Sequence, residues 1–297
     1  MKKPLSILAI SLIALSGFAQ KDTTTVIISA NNDTVKVGNF VIIKKNEPGT
    51  ENSNNSHNVW KDWDNTVNVK IERQPRRKKN IITNWFIFDL GFTNYRDQTD
   101  YAFAQKGDYF KTFRPQDGKV DYNSYLLNTG KSSNVNIWLF MQKLNVSKHV
   151  LNLKYGLGYE MYNFRYDSRI SYRKEFSSYV YNDSMSFSKN KLYVSYITIP
   201  LMININPSPD HRNGFNFSFG VSAGYLVDSR NKQISAERGK QKYNGDFYFE
   251  PWRIATIGEI GLGPIRLYGS YSLNRLQKDV TRVEQYPYCI GIRFSSW

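Results

Sequence analysis

The sequence predicts an all-β fold in which eight antiparallel strands run up and down and close on themselves. Three observations carry that expectation. From about residue 84 onward, apolar and polar side chains alternate with period two, the spacing of a strand with one apolar face. About eight such segments follow one another, separated in turn by long and by short connections. The composition points the same way, with 15% aromatic residues and a mean hydropathy of -0.53 over 297 residues. That value leaves no room for apolar helices of roughly 20 residues, and so much aromatic and β-branched side chain argues against disorder.

The chain opens on Lys2 and Lys3, an apolar run from Leu5 to Leu15, and Gly17-Phe18-Ala19. A positive start, a short apolar stretch and small residues at the cleavage point predict a secretory signal peptide over 1–19, cut after Ala19. Losing Lys2 and Lys3 lowers the formal charge from +15 to +13. An exported chain of that charge meets acidic lipids and surface polysaccharide first, so nucleic acid is not expected as a partner.

Residues 20–83 read as an N-terminal extension. Two β-branched runs, Thr24–Ser29 and Thr34–Ile43, flank Asn31-Asn32-Asp33 and signal a hairpin. A polar linker over 46–58 follows, then Trp60-Lys61-Asp62-Trp63 and the basic run Arg73, Arg76, Arg77, Lys78 and Lys79. Such a run either meets phosphate-bearing headgroups or serves as a solvated tether.

Strands are expected over 84–95, 134–145, from His149 to about Met161, and over 191–205, 214–228, 250–261, 264–276 and 286–297. The clearest places Phe215, Phe217, Phe219, Val221, Ala223, Tyr225 and Val227 on one face and Asn216, Ser218, Gly220, Ser222 and Gly224 on the other. The long links are 96–133, 165–190, 229–249 and 277–285. The short ones are Val146-Ser147-Lys148, Asn206–Asn213 and the turn around Leu262-Gly263-Pro264.

Long loops at one end and short turns at the other describe a bacterial outer-membrane barrel with periplasmic turns. The rival, a soluble barrel of lipocalin type, is disfavoured because the polar faces are rich in Gly, Ser and Asn, suited to a narrow, filled lumen. Aromatics such as Tyr155, Tyr159, Tyr225, Tyr271 and Tyr288 also flank the apolar faces, as interfacial girdles do. The expectation is therefore an eight-stranded antiparallel transmembrane up-and-down β-barrel over 84–297, monomeric, in the outer membrane, with 20–83 periplasmic. In the last strand Tyr288, Ile290, Ile292 and Phe294 alternate while Trp297 falls out of phase, and Pro200 and Pro287 interrupt the ladder.

Several motifs resemble the PorT-like outer-membrane β-barrel proteins of Bacteroidetes. They are the signal ending in Gly17-Phe18-Ala19-Gln20, the segment Trp85–Tyr95 with Asp89-Leu90-Gly91-Phe92, Tyr155-Gly156-Leu157-Gly158-Tyr159-Glu160, and Ile197-Thr198-Ile199-Pro200-Leu201. The resemblance covers 84–297. It implies an outer-membrane barrel, some of whose relatives are linked to protein export by the type IX pathway, and it brings no catalytic residues.

The residues themselves offer little chemistry. The three His residues, His57, His149 and His211, fall beside the linker or the short turns, away from the long loops, so a Ser–His site facing the outer leaflet is not expected. No metal-binding or phosphate-cradling motif occurs, and Cys289 on the polar face of the last strand reads as a small buried filler. No enzyme activity and no cofactor are expected.

Two groups remain as candidates. Asp89, Lys154, Glu160, Glu259, Arg266 and Arg293 point inward by alternation, either as a salt-bridged plug or as a lining that selects solutes. An eight-stranded interior is just wide enough for side chains to fill, which favours the plug. In the second long loop, Arg165, Arg169, Arg173 and Lys174 interleave with Tyr172 and Tyr179 and could stack on sugars and pair with phosphate. The same loop also reads as solvated surface lying against lipopolysaccharide. The function expected is binding or structural support at the cell envelope, with lipopolysaccharide, envelope proteins or secretion components as partners. The alternative is passage of a small solute.

Overall fold

A computed structural model describes residues 79–209, 214–262 and 265–295, together with the backbone of five short strands before them. The chain divides into two compact units, Met1–Lys78 and Lys79–Trp297. In the first, Val26–Ile28, Thr34–Val37 and Phe40–Ile43 form a three-stranded antiparallel sheet, and Trp60–Asp62 pairs with Asn65–Val67. The second β-branched run thus holds two strands, Thr34–Val37 and Phe40–Ile43. The signal segment, the linker, His57, His211, Trp297 and all of the basic run except Lys79 lie outside the described residues.

The second unit is built on eight strands: β1 (Ile81–Asp97), β2 (Ser133–Ser147), β3 (Leu151–Tyr166), β4 (Lys189–Ile205), β5 (Phe215–Ser235), β6 (Trp252–Leu262), β7 (Ile265–Ser272) and β8 (Gln285–Phe294). Each is antiparallel to the next, and β8 pairs with β1. The eight strands therefore form a closed ring with no free edge, and closure satisfies every strand's ladder without a partner sheet. Strand β1 begins at Ile81, three residues ahead of its first alternating position.

The alternation of the sequence maps onto two faces. Along β1, Leu90 is 51% exposed while Asp89 beside it is 0% exposed. The same holds around the ring, with Ile199, Val221, Ile254, Leu267 and Ile290 outward and Thr198, Ser222, Arg253, Arg266 and Cys289 inward. A ring that is apolar outside and polar inside is the reverse of a water-soluble fold and suits a surrounding of lipid. Among the described residues no helix is long and apolar enough to cross a membrane.

Local irregularities break the period. Phe86 has φ +53°, so Trp85 and Phe86 both face outward and Ile87 turns in, and beside it the β2–β3 register shifts between Trp138 and Phe140. Between β4 and β5 the register shifts at Ser195/Tyr196. Beyond that bulge, Arg230 and Lys232 face outward and Asn231 and Gln233 inward.

The strands differ in height. β4 and β5 run 17 and 21 residues, whereas β6, β7 and β8 run 11, 8 and 10. The tall side is extended by Gly239–Asn244, which pairs with the upper part of β5.

Candidate functional site

The interior of the ring is filled in three layers. In the half of the ring toward the short turns, Ile87, Trp138 and Met141 form a small apolar cluster. Trp138 fits because Gly158 lies opposite on β3 and offers no side chain, and a Cβ there would strike the indole ring.

Beside it, joined to it through the Trp138 indole, lies the charge layer. All six residues predicted inward are buried there. Glu259 on β6 is its hub, paired with Lys154 on β3, with Arg266 at 3.3 Å and with Arg293 at 2.7 Å. Arg293 also donates two bonds to Asp89, at 2.7 and 2.8 Å. Asp89 accepts a further bond from the Trp138 indole at 2.7 Å.

Glu160 accepts from Arg253 and from Thr198, each at 3.0 Å. Arg253 donates to Ser272 and Ser270 as well and lies over the Tyr162 ring at 4.9 Å. Arg253 belongs to this layer as much as the other six, and its position between outward Trp252 and Ile254 carries the same alternation. Four cations face three carboxylates, so the layer is close to neutral, as a dry interior requires of its charges.

The third layer is at the long-loop end, and here the structure departs from the expected solvated loops. Tyr95, Tyr125, Tyr162, Phe164, Tyr166, Tyr172, Phe247 and Phe249 belong to one buried cluster drawn from the upper ring and the loops. The hairpin Ile170–Lys174/Ser178–Asn182 sits over the mouth. Inward amides of the tall strands hold it there. Asn190 donates to the Ile170 carbonyl at 2.6 Å, Gln233 donates to Ser171 at 2.7 Å, and Asn231 accepts from the Tyr172 amide at 3.4 Å.

The first long loop threads beside the hairpin through backbone bonds between Tyr109 and Val180 and between Lys111 and Val180, both 2.9 Å. Tyr109 donates to the Phe247 carbonyl at 3.2 Å and accepts from Gln277 at 2.8 Å. All four loops are thereby locked into one cap.

The second candidate group is dispersed by this packing. Tyr172, expected at the surface, is fully buried with its hydroxyl 2.9 Å from that of Tyr166. It is a core residue of the cap, because a β-hairpin laid over a mouth must turn one face inward. Arg173 is half-buried, 3.5 Å over the Tyr243 ring, 3.8 Å from Asp183 and bonded to Gln233. Lys174 pairs with Asp246 at 3.2 Å. Tyr179 donates to Glu175 at 2.7 Å and meets Phe113 edge-on at 5.8 Å. Arg169 is half-buried, its carbonyl accepting from the Asp183 amide. Arg165 stands apart from these, on the outward face of β3 opposite Lys191.

A groove of about 950 Å³ lies elsewhere, on the wall where Gly258 and Gly269 pair across β6 and β7. Phe217, Thr256, Tyr271 and Ile290 stand beside it. Cys289 is buried with its Sγ 3.2 Å from the Ser270 hydroxyl. Among the described residues no group of three or more His, Cys, Asp or Glu could hold a metal ion.

A closed ring with an apolar exterior, a filled polar lumen and interlocked loops at one end defines the class of outer-membrane barrels. A family model for the outer membrane protein beta-barrel domain matches residues 109–277, more than half of the chain, and the chain belongs to that family. No curated protein matches it.

Proposed function

We propose that this chain is a non-conducting, monomeric eight-stranded barrel that acts by binding or structural support at the cell envelope. Its long loops lie at the cell surface and its N-terminal extension in the periplasm, and it catalyses no reaction. The observation that carries this reading is the filling of the lumen: a paired charge layer with an apolar cluster beside it, and an aromatic cap above them. A pathway for solute would have to break all three. The PorT-like motifs add the finer proposal that its partners include components of protein export.

The test is single-channel conductance of the refolded barrel in a planar bilayer, beside heat-modifiable gel mobility to report folding. A folded barrel without openings is the expected result. Steady, ion-selective openings would overturn the plugged lumen and make Asp89, Lys154, Glu259 and Arg293 a selectivity lining.

A further inference from the structure

The tall side of the ring carries a row of like charges on its outward face. Arg165 on β3 lies directly across from Lys191 on β4, Lys191 across from Lys232 on β5, and Lys232 across from Lys242 on the flanking strand. Lys189, Arg230 and Lys240 flank the row on the same face. Like charges directly opposite one another on a sheet are destabilising. Among the described residues no carboxylate lies within ion-pair distance of any of these seven cations.

The row lies at a particular height. Strand β4 presents Ile203, Leu201, Ile199 and Ile197 outward; on the same side follow Ser195 and Tyr193, both buried against Tyr159 and Arg230, then Lys191 and Lys189. A strand rising 3.3 Å per residue at about 40° tilt gains roughly 2.5 Å of height per residue, so Ile205 to Ser195 spans about 25 Å, the height of an outer-membrane apolar band. Tyr193 sits where an interfacial girdle belongs, with Arg230 4.4 Å over its ring. The cations stand immediately beyond it, at the level of lipid headgroups.

The site has a receptive shape. A cleft of about 480 Å³ is lined by Lys131, Asn163, Arg165, Ser188, Lys189 and Lys191. Arg165 donates one guanidinium N–H to the Ser188 carbonyl at 2.6 Å, while its buried Nε has no hydrogen-bond partner. Lys191 bonds the Asn163 side chain at 2.6 Å.

We propose that this wall binds the phosphate groups of an anionic outer-leaflet lipid of the lipid A class, whose acyl chains lie along the apolar strands below. Phosphate offers both the negative charge that offsets the row's repulsion and the acceptor oxygens that arginine and lysine donors select. The proposal rests on the long loops facing the cell surface, and it is independent of whether the lumen conducts.

The test uses the full mature chain folded in dodecylmaltoside micelles, titrated with bisphosphorylated lipid A and read by native mass spectrometry, with heat-modifiable mobility as the folding control. Wild type retains the lipid, and more weakly as salt rises. Arg165→Gln/Lys191→Gln/Lys232→Gln loses at least ten-fold in affinity. Lys240→Gln/Lys242→Gln, confined to exposed side chains, loses a few-fold and covers failure of the triple variant to fold. Retention unchanged in the folded variants would overturn the site. So would equal binding of the dephosphorylated lipid, or equal binding of phosphatidylglycerol supplied at the same total charge. Inorganic phosphate bound as strongly as the lipid would overturn a lipid ligand.

Discussion

Arg293 on the last strand and Asp89 on the first stand directly opposite one another, joined by two hydrogen bonds of 2.7 and 2.8 Å. This pair spans the seam where the two ends of the ring meet. The same guanidinium reaches Glu259 on β6 at 2.7 Å, and Glu259 in turn pairs with Lys154 on β3, so the seam is tied across the lumen. Planar two-pronged geometry of this kind needs arginine, because a lysine could bond only one carboxylate edge.

Replacing Asp89 by Ala is expected to destabilise the barrel by about 3–5 kcal/mol, the usual effect of removing one partner from a buried ion pair. The substitution strips Arg293 of two bonds and leaves the Trp138 indole without its acceptor. The urea midpoint of the heat-modifiable folded band measures it. An unchanged midpoint would mean that water fills the lumen and screens the pair.

Gly158→Val should act on the same network from β3, the strand beside Trp138. Its side chain would occupy the space of the Trp138 ring and push the indole off Asp89. The expected loss is about 1–3 kcal/mol from overpacking, together with a red shift of tryptophan emission as the indole moves. Emission unchanged in a folded Val variant would show that the glycine is not what seats the ring.

Much of this architecture is legible in the chain because one face of each strand meets lipid and the other a polar lumen, which makes period two strong. Asp89, Lys154, Glu160, Glu259, Arg266 and Arg293 follow that period, and so does Arg253, whose signal lay between Trp252 and Ile254. Which charges pair is not legible, since Lys154 and Glu259 meet only when the ring closes. Nor is the cap. Tyr172 and Tyr179 look alike in sequence, yet one is buried and the other reaches the surface, because burial there depends on four loops converging. The bulge at Phe86 was equally hidden, as four apolar residues in succession, Trp85 to Phe88, do not say which one slips.

The cap and the charge layer block the lumen in series, so opening one should not open the other. A variant in which residues 170–182 are replaced by a short Gly-Asn turn is expected to fold and still show no conductance. The charge layer around Glu259 lies beneath the removed hairpin and shares no residue with it. Openings in this variant would place the whole seal in the cap.

Like charges held side by side should reveal themselves in stability. In lipid-free detergent, Lys191→Gln/Lys232→Gln is expected to raise stability by about 0.5–1 kcal/mol, as a directly opposed like-charged pair is relieved. The gain should shrink at high salt, where exposed charges are screened. A destabilised variant would mean that the lysine stems contribute more by packing than their charges take away.

Alkaline pH should loosen the cap. Burial raises the phenols of Tyr109, Tyr125 and Tyr172 well above the ordinary tyrosine value, since an ionised phenolate would be stranded in an apolar cluster. In the unfolded loops the same phenols lose their protons near pH 10. A group whose folded pKa is raised contributes stability that is present in full below the unfolded value and declines as pH climbs toward the folded one. Cap stability should therefore be flat up to about pH 9.5 and fall steadily above it, with the membrane-embedded ring following later. Limited proteolysis of the loops across pH 8 to 11, read beside the heat-modifiable band, separates the two. Tyr172→Phe, which keeps the ring but carries no ionisable group, should lessen the alkaline loss. A cleavage rate that does not change with pH would show that the buried phenols do not hold the loops together.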